Sequence, residues 1–178
     1  MPPAPAPPAA PSAFAVRQSA PGRPYRVSAW CLLPRDAPRR ARRLLRSRLI
    51  GLSPAVVDDL ELVLSELASN AVTHAPGPYE LRILYEDGLP IRVEVADSGN
   101  SARTVDRLLH RPGDAFAAVD TLADGGRGLR IVAACTGGWC GARQVRLYGT
   151  GRLGTGVWFS LPTPGIDTLS LIASAASG

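Results

Sequence analysis

Between Ser53 and Pro76 the apolar positions recur at intervals of three and four. Val56, Leu60, Val63 and Leu67 share one face, so the spacing predicts a long helix to about His74. Ser53 supplies an N-cap, Pro54 suits the first helical position, and Pro76-Gly77 ends the run. A shorter helical pattern precedes it, capped by Asp36, stopped by Gly51, and running to about Ile50. Leu44, Leu45, Leu49 and Ile50 are its candidate buried stripe. Elsewhere the period is two. Residues 24–33 read as a strand, and Tyr79–Tyr85 and Ile91–Val95 flank an Asp87-Gly88 turn as a hairpin. Arg143–Tyr148 and Val157–Leu161 close the pattern with two more strands, after a helix over Gly128–Ala134 opened by a glycine cluster. Residues 98–124 are polar and irregular, with one short helix near Thr104–His110. Helices and antiparallel strands are segregated. The order predicts an α+β fold: a two-layer sandwich of a mixed, mostly antiparallel sheet packed on helices.

Residues 1–21, rich in proline and alanine, read as a disordered leader, 22–162 as one domain and 163–178 as a flexible tail. A loop of 27 residues at 98–124 is long for a domain of this size, and such loops tend to be lids or disordered. No run approaches the ~20 apolar residues of a membrane span. The proline-broken, acid- and base-free amino terminus does not read as a secretory signal, so a cytoplasmic location is expected.

Composition removes several chemistries. All 20 basic residues are arginine, which excludes a P-loop lysine, a protein-kinase strand lysine and a pyridoxal Schiff base. His74 and His110 are the only histidines, too few for a multi-histidine metal centre. Cys31, Cys135 and Cys140 show no CxxC spacing and read as reduced thiols. Charge is uneven: residues 1–50 hold ten arginines against one acid, Asp36, and the remainder ten against fourteen acids. The densest run, from Arg39 through Arg40, Arg42, Arg43 and Arg46 to Arg48, is either a solvated basic face or a docking surface for an acidic protein. No aromatic residues interleave with it as a nucleic-acid groove would need, so no direct nucleic-acid partner is expected.

Three short motifs carry candidate chemistry. Glu66 and Asn70 lie four apart on the long helix, on one face at the edge of the core, where a carboxylate and a carboxamide could hold Mg²⁺ and take a proton. An ordinary surface pair has the same spacing. Asp97-Ser98-Gly99 follows an apolar strand, where an acid can accept from an exocyclic amino group while glycine lets a flat ring approach; a plain strand-ending turn reads the same way. Gly125-Gly126-Arg127-Gly128-Leu129 opens a helix and offers backbone N–H groups to an anion, without Rossmann or P-loop spacing.

In this order the three motifs resemble the N, G1 and G2 boxes of the GHKL superfamily, whose ATP-binding domain has the Bergerat fold. The resemblance covers about residues 24–161. It is strongest for SELASNAVTHA, VEVADSG, GGRGLRIVAA and the closing GTGVWFSLP, which look like the bacterial anti-sigma-factor serine/threonine kinases. The resemblance implies ATP and Mg²⁺ as cofactors. It makes Glu66 the general base, Asn70 the Mg²⁺ ligand and Asp97 the acceptor of the adenine amino group. Gly99 would admit the ring, and Gly126 and Gly128, with Arg127 and Leu129 in the same box, would meet the phosphates. Thr155 would support Asp97, and residues 100–124 would form the lid. Arg127 and Arg103 are candidates to neutralise developing phosphate charge. Two features depart from the family: no lysine stands in the final Leu153-Gly154-Thr155 stretch, and residues 138–152 are long and rich in glycine.

The function so implied is phosphorylation of a STAS-type anti-anti-sigma partner alternating with sequestration of a sigma factor, with a possible homodimer through the sheet or first helix. The alternative is a non-catalytic adenine-nucleotide-binding module that acts through protein docking. A detached histidine-kinase domain is disfavoured, since neither His74 nor His110 lies in a separate helix hairpin.

Overall fold

A computed structural model describes residues 13–20, 23–110 and 125–162. Among the described residues six strands form one sheet: β1 (Ala13–Ala20), β2 (Arg23–Leu32), β3 (Tyr79–Glu86), β4 (Leu89–Asp97), β5 (Cys140–Arg146) and β6 (Leu153–Ser160). Their order is β1-β2-β3-β4-β6-β5. Every ladder is antiparallel, so the expected mixed pairing does not occur among the described residues. Four helices, α1 (Ala37–Arg46), α2 (Pro54–His74), α3 (Ala102–Leu109) and α4 (Gly125–Cys135), complete the α+β sandwich. The Asp87-Gly88 hairpin turn is as the sequence predicts, with φ of 50° and 83° at its two residues.

Cross-strand partners share a face, so the register sorts the sheet. Leu81 pairs with Trp30 and Val95, and Val93 with Ile83 and Phe159. These residues join Leu60, Val63, Leu64 and Leu67 of α2 and Val132 of α4 in one buried core. The alternate residues, among them Arg82, Glu94 and Trp158, face away from the helices.

Helix α4, β5 and β6 begin three or four residues earlier than the sequence reading has them, and β1 and α1 depart from it further. Ala13–Ala20, assigned to the disordered leader, forms β1 and pairs with β2 from Arg23 to Trp30. Prolines define the composition of residues 1–21, yet none lies between 13 and 20, so every N–H there can donate to a ladder. Helix α1 stops at Arg46 rather than Ile50, and its buried stripe is Ala37, Ala41 and Leu45. Leu44 and Leu49 pack only partly, and Ile50 is exposed. Asp36 makes no capping bond, because a 3₁₀ turn over Pro34–Asp36 runs straight into α1. Ser53 does cap α2, accepting from Val56 N at 3.4 Å. No helix among the described residues is long and apolar enough to cross a membrane.

Candidate functional site

Helices α2 and α4 meet at a glycine. A Cβ built on Gly128 would lie 2.6 Å from Glu66 Oε2 and 3.1 Å from Asn70 Nδ2. The backbone of α4 therefore comes directly against the two polar side chains that the spacing placed together on α2. Gly125, Gly126, Arg127 and Gly128 form the first turn of α4 instead of a loop before it. The N–H groups of a first turn have no acceptor within the helix, and the helix dipole adds positive charge there. An anion beside Gly128 would thus face backbone donors on one side and Glu66 and Asn70 on the other.

Asn70 itself indicates a missing partner. Its Nδ2 is buried and has no hydrogen-bond partner, which costs about 1–3 kcal/mol for a group that water no longer reaches. The O and N of a carboxamide exchange places by a half-turn of the last torsion. That half-turn would present Oδ1 to the same space, the orientation a Mg²⁺ ligand requires, so the residues fit the cofactor. Among the described residues no cluster of three His, Cys, Asp or Glu side chains stands ready to hold a metal alone. A cation here would rest on Asn70 and the oxygens of its nucleotide.

The second half of the site lies at the end of β4. Asp97 pairs with Thr155 of β6, and both are buried on the helix side of the sheet. Asp97 Oδ1 accepts from Gly99 N at 2.7 Å, and Thr155 Oγ1 donates to the Gly99 carbonyl at 3.1 Å. Thr155 thus holds the backbone that holds the carboxylate. Burial pushes the Asp97 carboxyl above the ordinary carboxylate range, and the Gly99 N–H pulls it part of the way back. A Cβ on Gly99 would lie 2.9 Å from Asp97 Oδ1 and 3.3 Å from the Ala75 Cβ. The glycine therefore protects the carboxylate's position as well as leaving room for a ring.

The two halves are fastened together. Ser98 Oγ donates to the carbonyls of Pro76 and Gly77 at 2.9 and 2.7 Å, tying the end of β4 to the exit of α2. Ala75, which touches Gly99, lies five residues beyond Asn70, about 7.5 Å of helix at 1.5 Å per residue. The exit of α2 thus lies against the end of β4, with Ala75 beside Gly99.

The structure brings Glu66, Asn70 and Gly128 into one contact and Asp97, Gly99 and Thr155 into another. Gly126 and Leu129 belong to α4, where Leu129 is buried in the core. The side chain of Arg127 and lid residues 111–124 lie outside the described residues. Arg103 stands exposed on α3. Two parts of the site were not found from sequence. A Cβ at Gly154 would run into the Asp97 carbonyl oxygen, and the signal was a glycine inside a strand, which marks close backbone approach. The Ser98 bonds had no pattern to announce them.

The family model for the histidine kinase-like ATPase domain matches residues 33–136, more than half of the chain. A search of curated proteins gave no match. The matched span contains Glu66, Asn70, Asp97, Gly99 and Gly128, while Thr155, which donates to the Gly99 carbonyl, lies beyond it. The chain is therefore a member of the histidine kinase-like ATPase domain family, within the GHKL superfamily.

Proposed function

We propose that this ATP-binding, kinase-like domain is an anti-sigma-factor-type serine/threonine protein kinase. It phosphorylates a STAS-type anti-anti-sigma partner in the cytoplasm and, in its other state, sequesters a sigma factor. The observation that carries this reading is the close approach of Gly128 to Glu66 and Asn70, which puts a candidate base and a candidate metal ligand beside free backbone amides. When bound, ATP with Mg²⁺ supplies the transferable phosphoryl group and the charge that offsets its oxygens.

The chain's own residues do the rest. Asp97 accepts from the adenine amino group, and Thr155 and Gly99 keep its carboxylate aimed. Asn70, with its carboxamide turned, would hold the cation through Oδ1. The amides of Gly126 and Gly128 donate to phosphate oxygens, a preorganised stabilisation that needs no lysine. Glu66 would take the proton from the acceptor hydroxyl as that oxygen attacks the γ-phosphorus, while the bond from the γ-phosphorus to the bridging oxygen breaks and ADP leaves. Arg39 and Arg43, exposed on α1, give a basic face for an acidic partner.

Transfer of labelled γ-phosphate to a STAS-type protein tests the reading, beside ATP affinity by calorimetry. Glu66→Ala is expected to keep ATP affinity within about threefold and to lose about 10²–10⁴ in transfer rate. Phosphate on the product should resist acid and yield to alkali. A wild-type protein that binds ATP and transfers nothing would establish the non-catalytic alternative, and an acid-labile product would indicate phosphohistidine.

A further inference from the structure

The sheet face turned away from the helices carries a charged network that the nucleotide site does not use. Arg82 donates to Glu80 Oε2 from Nε at 3.1 Å and from Nη2 at 2.7 Å, and to Glu94 Oε1 from Nη1 at 2.9 Å. Its Nη2 also reaches the Arg146 carbonyl at 2.7 Å. Glu94 Oε2 accepts from Arg143, at 2.9 Å from Nε and 2.8 Å from Nη2. Glu80 is completed by the backbone N–H groups of Tyr148 and Gly149 at 3.2 and 2.9 Å. Each oxygen of both buried carboxylates is therefore engaged.

Arg92 stands beside this network without a share in it. Its guanidinium carbon lies 4.2 Å from the centroid of Trp158, so one face is stacked on the ring. Its Nε is buried and has no hydrogen-bond partner. Burial and the nearby Arg143 both disfavour its charge, and the carboxylate that favours it is Glu94, which two other arginines already hold. A cation in that position has an unmet demand for an anion.

Arg92, Arg143 and Glu94 line a cavity of about 220 Å³ whose remaining wall includes Val27, Leu84 and Ile91. That volume is below the roughly 300 Å³ at which drug-sized pockets begin, so the cavity suits a small molecule and not a nucleotide. A guanidinium edge presents paired N–H donors that match a carboxylate or phosphate, and the aliphatic wall favours a ligand with an apolar body. Glu86 is also part of the lining, which penalises a second negative group.

We propose that this cavity is a binding site for a small organic monoanion, its oxyanion head on Arg92 and its apolar body against Val27, Leu84 and Ile91. The stacked Trp158 provides a reporter. Tryptophan fluorescence of the full chain is followed during titration with benzoate, and separately with inorganic phosphate and chloride, at constant ionic strength. Calorimetry with benzoate is run alongside. Benzoate is expected to give a saturable change, with phosphate at least tenfold weaker and chloride silent. Arg92→Gln should weaken benzoate at least tenfold while ATP affinity stays within twofold. Arg92→Lys, which keeps the charge without the paired donors, should fold normally and also bind more weakly. Trp158→Phe should remove the optical signal and leave a calorimetric one. The proposal is overturned by no saturable response, by an equal response in Arg92→Gln, or by phosphate binding as tightly as benzoate. A concentration-dependent dimer that excludes benzoate would also overturn it, because a carboxylate of a second copy would then own the cavity.

Discussion

Three residues of the candidate nucleotide site respond differently to small changes, and their surroundings say how. Asp97 is a buried carboxylate whose proton is held more tightly in the folded chain than in the unfolded one. Between the ordinary carboxylate pKa and the raised one the native state binds more protons, so stability falls as pH rises through that window. Asp97→Asn removes that ionisation, and a higher melting temperature at pH 7 is expected together with ATP affinity reduced about 10–100-fold, the worth of a charge-assisted hydrogen bond. Thermal melts and calorimetry of the same sample check both. Gly128→Ala pushes on the free end of the Glu66 side chain, which can swing aside, so the fold should survive and phosphoryl transfer should fail. Gly154→Ala pushes on the Asp97 backbone carbonyl, which cannot. A loss of about 3 kcal/mol in a denaturant titration is expected there. Glu66, Asn70, Asp97, Gly99, Gly128 and Thr155 could be singled out as candidates because each sits in a motif of fixed spacing. Gly154 was not, since the atom it accommodates belongs to a strand 57 residues earlier.

Among the elements, those with a strict period were read to within a residue or two: α2 from Pro54 to His74, and β3 and β4 through their turn chemistry. The misreadings came from averaging. Proline content hid β1, and a leucine count hid the alanine stripe of α1, where small residues let α1 lie close to its neighbours. The alternation of β3 was harder, because Glu80 and Arg82 occupy positions that are as buried as Leu81 and Ile83. Charged residues at every second place of a strand ordinarily mean a solvated face; here they make a closed network across β3, β4 and β5. Breaking it should be costly. Glu94→Gln leaves Arg82 and Arg143 without their shared anion, and about 3–5 kcal/mol of stability is expected to be lost, measurable by urea unfolding monitored at two wavelengths.

At the scale of the molecule, charge separates by region. Four arginines of α1, with Arg48 just beyond it, divide into two sets. Arg42 and Arg46 bond Ser65, Asp58 and Glu61 of α2, and Arg48 stacks on Trp30, so they fasten the helix layer. Arg39 and Arg43 point into solvent. The double reversal Arg39→Glu with Arg43→Glu is expected to leave ATP affinity and melting temperature nearly unchanged. It should weaken partner capture at least tenfold at 0.15 M salt, with the difference shrinking as salt rises. Surface-binding measurements over a salt series check this.

Gly125, Gly126 and Gly128 also make the first turn of α4 a place where stability and turnover would pull the sequence in different directions. Glycine is about 1 kcal/mol worse than alanine in a helix, and α4 carries three in its first turn. Under mutation and selection for heat resistance alone, such a turn drifts toward alanine within a few rounds. If cells require nucleotide turnover from this protein, the three glycines will persist while neighbouring exposed positions such as Arg130 and Ala134 diversify. Deep sequencing of one library under the two regimes would separate a working phosphate turn from a fossil one without purifying a single variant.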